Sequence, residues 1–203
     1  VFWSDGVPFT AEDVLFTYKY ITNPEVRSAT SSIYSTVKNV EIIDDFTVKV
    51  YFHVATQAWY VPFMSSGGLI LPRHIHEAYN GENASQAKAN LLPVGTGPYR
   101  VVEPGIKTQE VLLLGSQLIS MKKIVFEPNP YYRYPDKPYF RRIEWQGGGT
   151  SLEAARRLFV NGDIDLAYEM SQLEQKTLDG LQKSGKGKLE IMFGSVITHI
   201  LLN

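Results

Sequence analysis

The sequence predicts a mixed α/β fold, sheets with flanking helices, on three observations. Helix-start signals recur ahead of apolar residues at helical spacing, short alternating apolar runs lie between them, and the last third orders these elements β-α-β-α-β. The composition fits a packed globule: 203 residues, 44% apolar and 20% charged, far from the disordered and fibrous classes. A chain of this length can bury one large core or two smaller ones.

The first helix starts after Thr10, which can cap it with Asp13 as the reciprocal partner. Val14, Tyr18 and Ile21 then recur at helical spacing, and Asn23-Pro24 stops the run. Residues 37–43 and 46–52 read as a hairpin, because Val48, Val50 and Phe52 alternate with polar partners and Asp44-Asp45 suits a tight turn. Residues 58–64 are aromatic and helical in pattern, 69–71 form a short extended run closed by Pro72, and 73–79 suit another helical turn. Residues 80–90, polar and small, read as surface.

Beyond Tyr99 the texture turns to strands, over 100–103, 110–114, 119–127 and 141–145. Thr150 and Glu153 form a second capping box ahead of Leu152, Ala155, Leu158 and Phe159, and Gly162 stands where a helix C-terminal glycine belongs. A strand over 164–168 follows. Ser171 with Glu174 repeats the cap for a helix running to Ser184 and Gly185, before strands near 189–193 and 196–202. The composition shift at Pro93-Val94-Gly95 is the best domain boundary, dividing residues 1–93 from 94–203.

Several chemistries lack their parts. Twenty basic and twenty-one acidic side chains give a formal charge of −1, so no global field draws the chain to nucleic acid or an anionic membrane. Without cysteine there is no disulfide, thiolate metal site or thiol nucleophile. Asp44 with Asp45 and Asp163 with Asp165 read as turn flanks rather than facing catalytic carboxylates. His74 and His76, two apart, would need ligands from elsewhere to hold a metal. Gly147-Gly148-Gly149 lacks the Lys-Ser/Thr of a phosphate loop, and Ser65 and Ser66 sit in no nucleophile elbow. Twelve tyrosines, ten phenylalanines and three tryptophans suit enclosure of an organic ligand, although most must fill the core.

Two strings are more specific than turn chemistry: Trp3-Ser-Asp-Gly-Val-Pro-Phe-Thr-Ala-Glu-Asp-Val14 and Val94-Gly-Thr-Gly-Pro-Tyr99. Gly95 and Gly97 allow backbone conformations closed to other residues, while Pro98 removes a donor and fixes φ as a strand begins. With Asn129-Pro-Tyr-Tyr132, Asp136-Lys-Pro-Tyr139, Gly162-Asp-Ile-Asp-Leu-Ala167 and Ile200-Leu-Leu-Asn203, the chain resembles the family 5 extracytoplasmic solute-binding proteins, the oligopeptide, dipeptide and nickel receptors of ABC importers. Residues 104–123 carry about a hairpin more than that pattern.

The resemblance implies part of a two-lobed fold of the periplasmic-binding-protein type II kind, with 1–93 a small accessory subdomain and 94–203 part of the main ligand-binding lobe, ending near the interlobe crossover. It implies a fragment of a longer receptor, lacking its export signal and opposing lobe. It also implies a non-enzymatic, extracytoplasmic protein that closes on a peptide or other small organic solute and docks on a membrane permease, with no cofactor. Cleft contacts are implied at Glu169, Met170 and Ser171, at Thr198 and His199, and at Ser65 and Ser66. Two other readings stay open, a regulatory or chemosensory protein with the same binding module and an α/β hydrolase.

Overall fold

The computed structural model describes residues 1–64, 67–103, 112–114, 117–119, 123–146, 150–167, 173–185 and 188. Two compact units result, one of Val1–Leu112 and Lys122–Gly147, the other of Leu113–Met121 and Gly148–Asn203.

The first unit opens with α1 (Ala11–Thr22). Its reciprocal cap forms as the sequence predicts, with the Thr10 N–H donating to Asp13 Oδ2 at 2.9 Å. The buried stripe is Asp13, Phe16, Thr17, Tyr20 and Ile21, one step round from the Val14-Tyr18 line, which is only half-buried. Two polar residues can occupy this stripe because each is saturated. Thr17 Oγ1 donates to the Asp13 carbonyl at 2.7 Å and accepts from the Leu71 N–H at 2.8 Å. Asp13 accepts from the Arg73 N–H at 2.9 Å and from Trp3 Nε1 at 3.3 Å.

The predicted hairpin forms from β1 (Val37–Asp44) and β2 (Thr47–Phe52), antiparallel with Val40 opposite Val50. Asp44 Oδ1 accepts from the Phe46 N–H at 2.8 Å, closing the turn. Helix α1 packs on this hairpin around Phe16, Tyr20, Ile21, Tyr34, Val37 and Val40. The helical expectation for 58–64 shrinks to a 3-10 turn over Val61–Phe63; α2 (Arg73–His76) follows Pro72 and runs into another 3-10 turn, Glu77–Tyr79. Residues 80–90 are not all surface, since Ala84 and Ala87 are buried and Ala84 joins the core.

Three strands, β3 (Tyr99–Glu103), β6 (Lys123–Pro128) and β7 (Ile143–Gln146), form an antiparallel sheet with β6 in the centre and Val125 fully buried. The single strand expected over 119–127 is described as two pieces with different partners: β4 (Leu112–Leu114) pairs with β5 (Gln117–Ile119), while β6 joins the sheet. Arg142 reaches Glu144 at 2.8 Å, Glu127 at 3.5 Å and Glu103 at 3.7 Å; the hydrogen bonds from Arg142 first and Lys123 second hold the Glu144 carboxyl below its usual range.

In the second unit the Thr150–Glu153 box caps α3 (Ser151–Arg156), with reciprocal bonds of 3.1 and 3.2 Å. A π-turn, Arg157–Asn161, buries Phe159 and ends at Gly162, φ +69°. Helix α4 (Gln175–Ser184) ends at Gly185, φ +64°, as expected. Its N-cap is Glu174 in extended conformation; Ser171, the cap the sequence suggests, lies outside the described residues. Residues 162–167 carry no strand; the partners expected for one, 189–193 and 196–202, lie outside the described residues.

Candidate functional site

Three of the strings that carry the resemblance, 3–14, 94–99 and 129–132, meet in one junction within the first unit. Trp3, 2% exposed, stacks at a tilt on Phe9 with centroids 5.3 Å apart and donates to Asp13. Ser4 is buried and clamps the second string: its N–H donates to the Gly95 carbonyl at 2.9 Å, and its Oγ accepts from the Gly95 N–H at 3.4 Å. Asp5 closes a local turn by accepting from the Val7 N–H at 3.2 Å. Gly6 sits at φ +91°, and a Cβ there would come within 2.9 Å of the Tyr131 ring, so both its backbone and its lack of a side chain are used.

Asn129 is the hub on the other side. Only 4% exposed, it donates from Nδ2 to the Gly97 carbonyl at 2.9 Å, accepts from the Tyr131 N–H at 2.9 Å, and its own N–H reaches the Pro98 carbonyl at 2.9 Å. Tyr99 Oη accepts from the Phe140 N–H at 2.9 Å, which ties in the Lys-Pro-Tyr segment. Gly95 and Gly97 do not use their conformational freedom. Neither has positive φ, and a Cβ at either would meet nothing within 4 Å; the strand entry is fixed by Ser4 and Asn129 instead.

The histidines separate. His74 Nε2 lies 2.7 Å from Asp5 Oδ2, and although partial burial raises the Asp5 carboxyl, the His74 contact and the Val7 N–H outweigh it and hold it below its usual range. His76 is buried, edge-on to Tyr20 at 5.9 Å. Asp163 pairs with Arg157 at 3.0 Å. Among the described residues, no cluster of three His, Cys, Asp or Glu could hold a metal ion. Two shallow depressions, about 260 Å³ beside Lys38, Asn39, Glu41 and Tyr51 and about 150 Å³ between α1 and α2, fall below the usual size of an organic-ligand pocket. The seven implied cleft residues, Ser65, Ser66, Glu169, Met170, Ser171, Thr198 and His199, lie outside the described residues. The junction, with Ser4, Gly6 and Asn129 as its fastenings, is what residue-by-residue reading missed, and buried polar burial gave no local signal.

The described residues form a mixed α/β fold whose family-like strings are fastened at one junction. The chain belongs to the bacterial extracellular solute-binding proteins of family 5, whose middle-region model matches residues 1–200. It is similar to the peptidoglycan-binding protein YepA of Agrobacterium fabrum, 30% identical over 183 residues that cover 82% of this chain and 25% of that protein. Among solved structures it is similar to the ABC transporter substrate-binding protein CtaP of Listeria monocytogenes, 26% identical with TM-score 0.69, covering 91% of this chain and 33% of that one. It is also similar to NikZ of Campylobacter jejuni in complex with Ni(L-His), 30% identical with TM-score 0.63, covering 81% and 29%. The chain spans 28% of the length of a Brucella melitensis relative, and a comparable share of the others. No helix among the described residues is long and apolar enough to cross a membrane.

Proposed function

We propose that this chain is part of the substrate-binding component of an ABC importer, which captures peptides outside the cytoplasmic membrane and hands them to a membrane permease without altering a bond. The observation that carries this reading is the family match over residues 1–200. It is supported by the junction, in which the strings 3–14, 94–99 and 129–132 are fastened to one another. Peptides are favoured as cargo because a Lactococcus lactis relative, 23% identical, is named an oligopeptide-binding protein, and YepA is named a peptidoglycan-binding protein.

In this reading residues 1–93, which hold their own apolar cluster, are the accessory subdomain, and 94–203 begin the ligand-binding lobe. Glu169, Met170, Ser171, Thr198 and His199, with Ser65 and Ser66, face the cleft and satisfy the peptide's main-chain groups when the lobes close. The protein acts without a cofactor, in the periplasm or as a lipoprotein at the outer face of the membrane. The Ni(L-His) bound to NikZ favours a second reading, a metal chelate as cargo.

Native mass spectrometry of the full-length protein against mixed peptides, oligosaccharides and nickel-histidine tests both. Peptide adducts, lost on alanine substitution of Glu169 and His199, are expected. Sugar adducts with no peptide adducts overturn the proposal, and adducts of nickel-histidine alone replace it with the second reading.

A further inference from the structure

Helix α2 carries two histidines in opposite circumstances. His74 is about one-third exposed and bridges to Asp5 on the N-terminal turn at 2.7 Å. His76, two residues on, is 6% exposed, lies edge-on to Tyr20 of α1, and its buried Nδ1 has no hydrogen-bond partner. Such a nitrogen costs less as a bare lone pair than once it carries a proton with nothing to receive it.

The charged groups around α2 are committed elsewhere. Asp5 is taken by His74. Asp13 of α1 accepts from Thr10, Trp3 and Arg73. Glu12 of α1 and Glu77 both face Arg73, at 4.0 and 3.3 Å. Lys19 of α1, in the groove between the helices, would add repulsion. On its own turn, His76 has Arg73 and His74 as further positive neighbours.

We propose that α2 is a proton-operated pivot: acidification releases its His76 end from α1, while the Asp5–His74 bridge keeps its other end on the N-terminal turn. A proton on His74 strengthens its pairing with the Asp5 carboxylate. A proton on His76 places a second charge in a buried site beside the first. Burial, and then His74, hold the His76 imidazolium below its ordinary value of 6.5. Its contribution to stability is therefore complete above that value and is lost as pH falls through it toward the depressed folded-state value.

Amide hydrogen exchange of the full-length protein, followed over residues 71–79 at about pH 7.5 and about pH 5 and corrected for intrinsic rates, tests this. Protection in the wild type should fall on acidification, and should stay flat in His76→Phe. Unchanged protection in the wild type, or an equal fall in His76→Phe, overturns the pivot. If that variant does not fold, the His76 ring resonance of the wild type decides: titration below the ordinary value supports the proposal, and titration at or above it overturns it.

Discussion

Helices α1 and α4 are similar in length and differ in what holds them. Half of the twelve residues of α1 are buried, in contact with a hairpin, the N-terminal turn and the approach to α2. None of the ten residues of α4 is buried. Its order comes from its ends and its surface: the Glu174 carbonyl accepting from the Thr177 N–H at 2.9 Å, Gln175 donating to Asp179 at 2.8 Å, and Gly185 turning left-handed. Isolated helices this short are marginal in water, and packing supplies most helical stability in proteins. So α1 is a tertiary element and α4 a locally written one, with Leu178 and Leu181 half-buried on one side.

The largest effect that would test this contrast is a pair of truncations. Phe16→Ala should cost about 3–5 kcal/mol, the usual price of an aromatic cavity in a formed core, whereas Leu178→Ala should cost under about 1 kcal/mol. Urea unfolding of the full-length protein, monitored by exchange in each segment, gives both numbers. Equal losses would mean that α4 is as deeply packed as α1, and the contrast would be gone.

A second substitution asks whether the polar part of the α1 stripe matters as much as the apolar part. Asp13→Asn keeps the shape but replaces one acceptor oxygen by a donor, facing the N–H groups of Thr10, Trp3 and Arg73. At least one buried N–H is left unpaired, and the negative charge at the helix N-terminus is removed. A loss of about 1–3 kcal/mol is expected, with exchange at Arg73 accelerated more than exchange in β1. A variant as stable as the wild type would show that Asp13 is only a local cap.

That local cap is what the sequence alone displays, which marks how far it can be read. Starts and stops of α1, α3 and the β1-β2 hairpin were legible because Thr10, Thr150, Asp44 and Gly162 act on neighbours within a few residues. The buried face of α1 was not, because Thr17 and Asp13 are saturated by partners 54 and 60 residues away. Ala84 and Ala87 were hidden in a polar stretch for the same reason. The Ser171–Glu174 pattern placed a helix start here, and α4 begins at Gln175 with Glu174 as its N-cap. The motifs were legible as strings, but not as a junction: Ser4 meets Gly95 across 91 positions, a distance no periodicity spans. The candidate cleft rested on resemblance alone, since twenty-five aromatic residues serve core and ligand walls without distinction.

The smallest predicted effect separates two kinds of glycine. Gly162 and Gly95 both belong to family strings, yet only Gly162 has a left-handed backbone, at φ +69° with open space around it. Gly162→Ala meets no atom, so its cost is purely conformational, about 1 kcal/mol for a Cβ in that region. Gly95→Ala meets no atom either and has ordinary φ. It should therefore be neutral or slightly stabilising, through the reduced freedom of the unfolded chain. Paired melting curves of the full-length variants measure the difference directly. A loss at position 95 as large as that at 162 would mean that the Val-Gly-Thr-Gly string needs its glycine for something beyond the contacts of this junction.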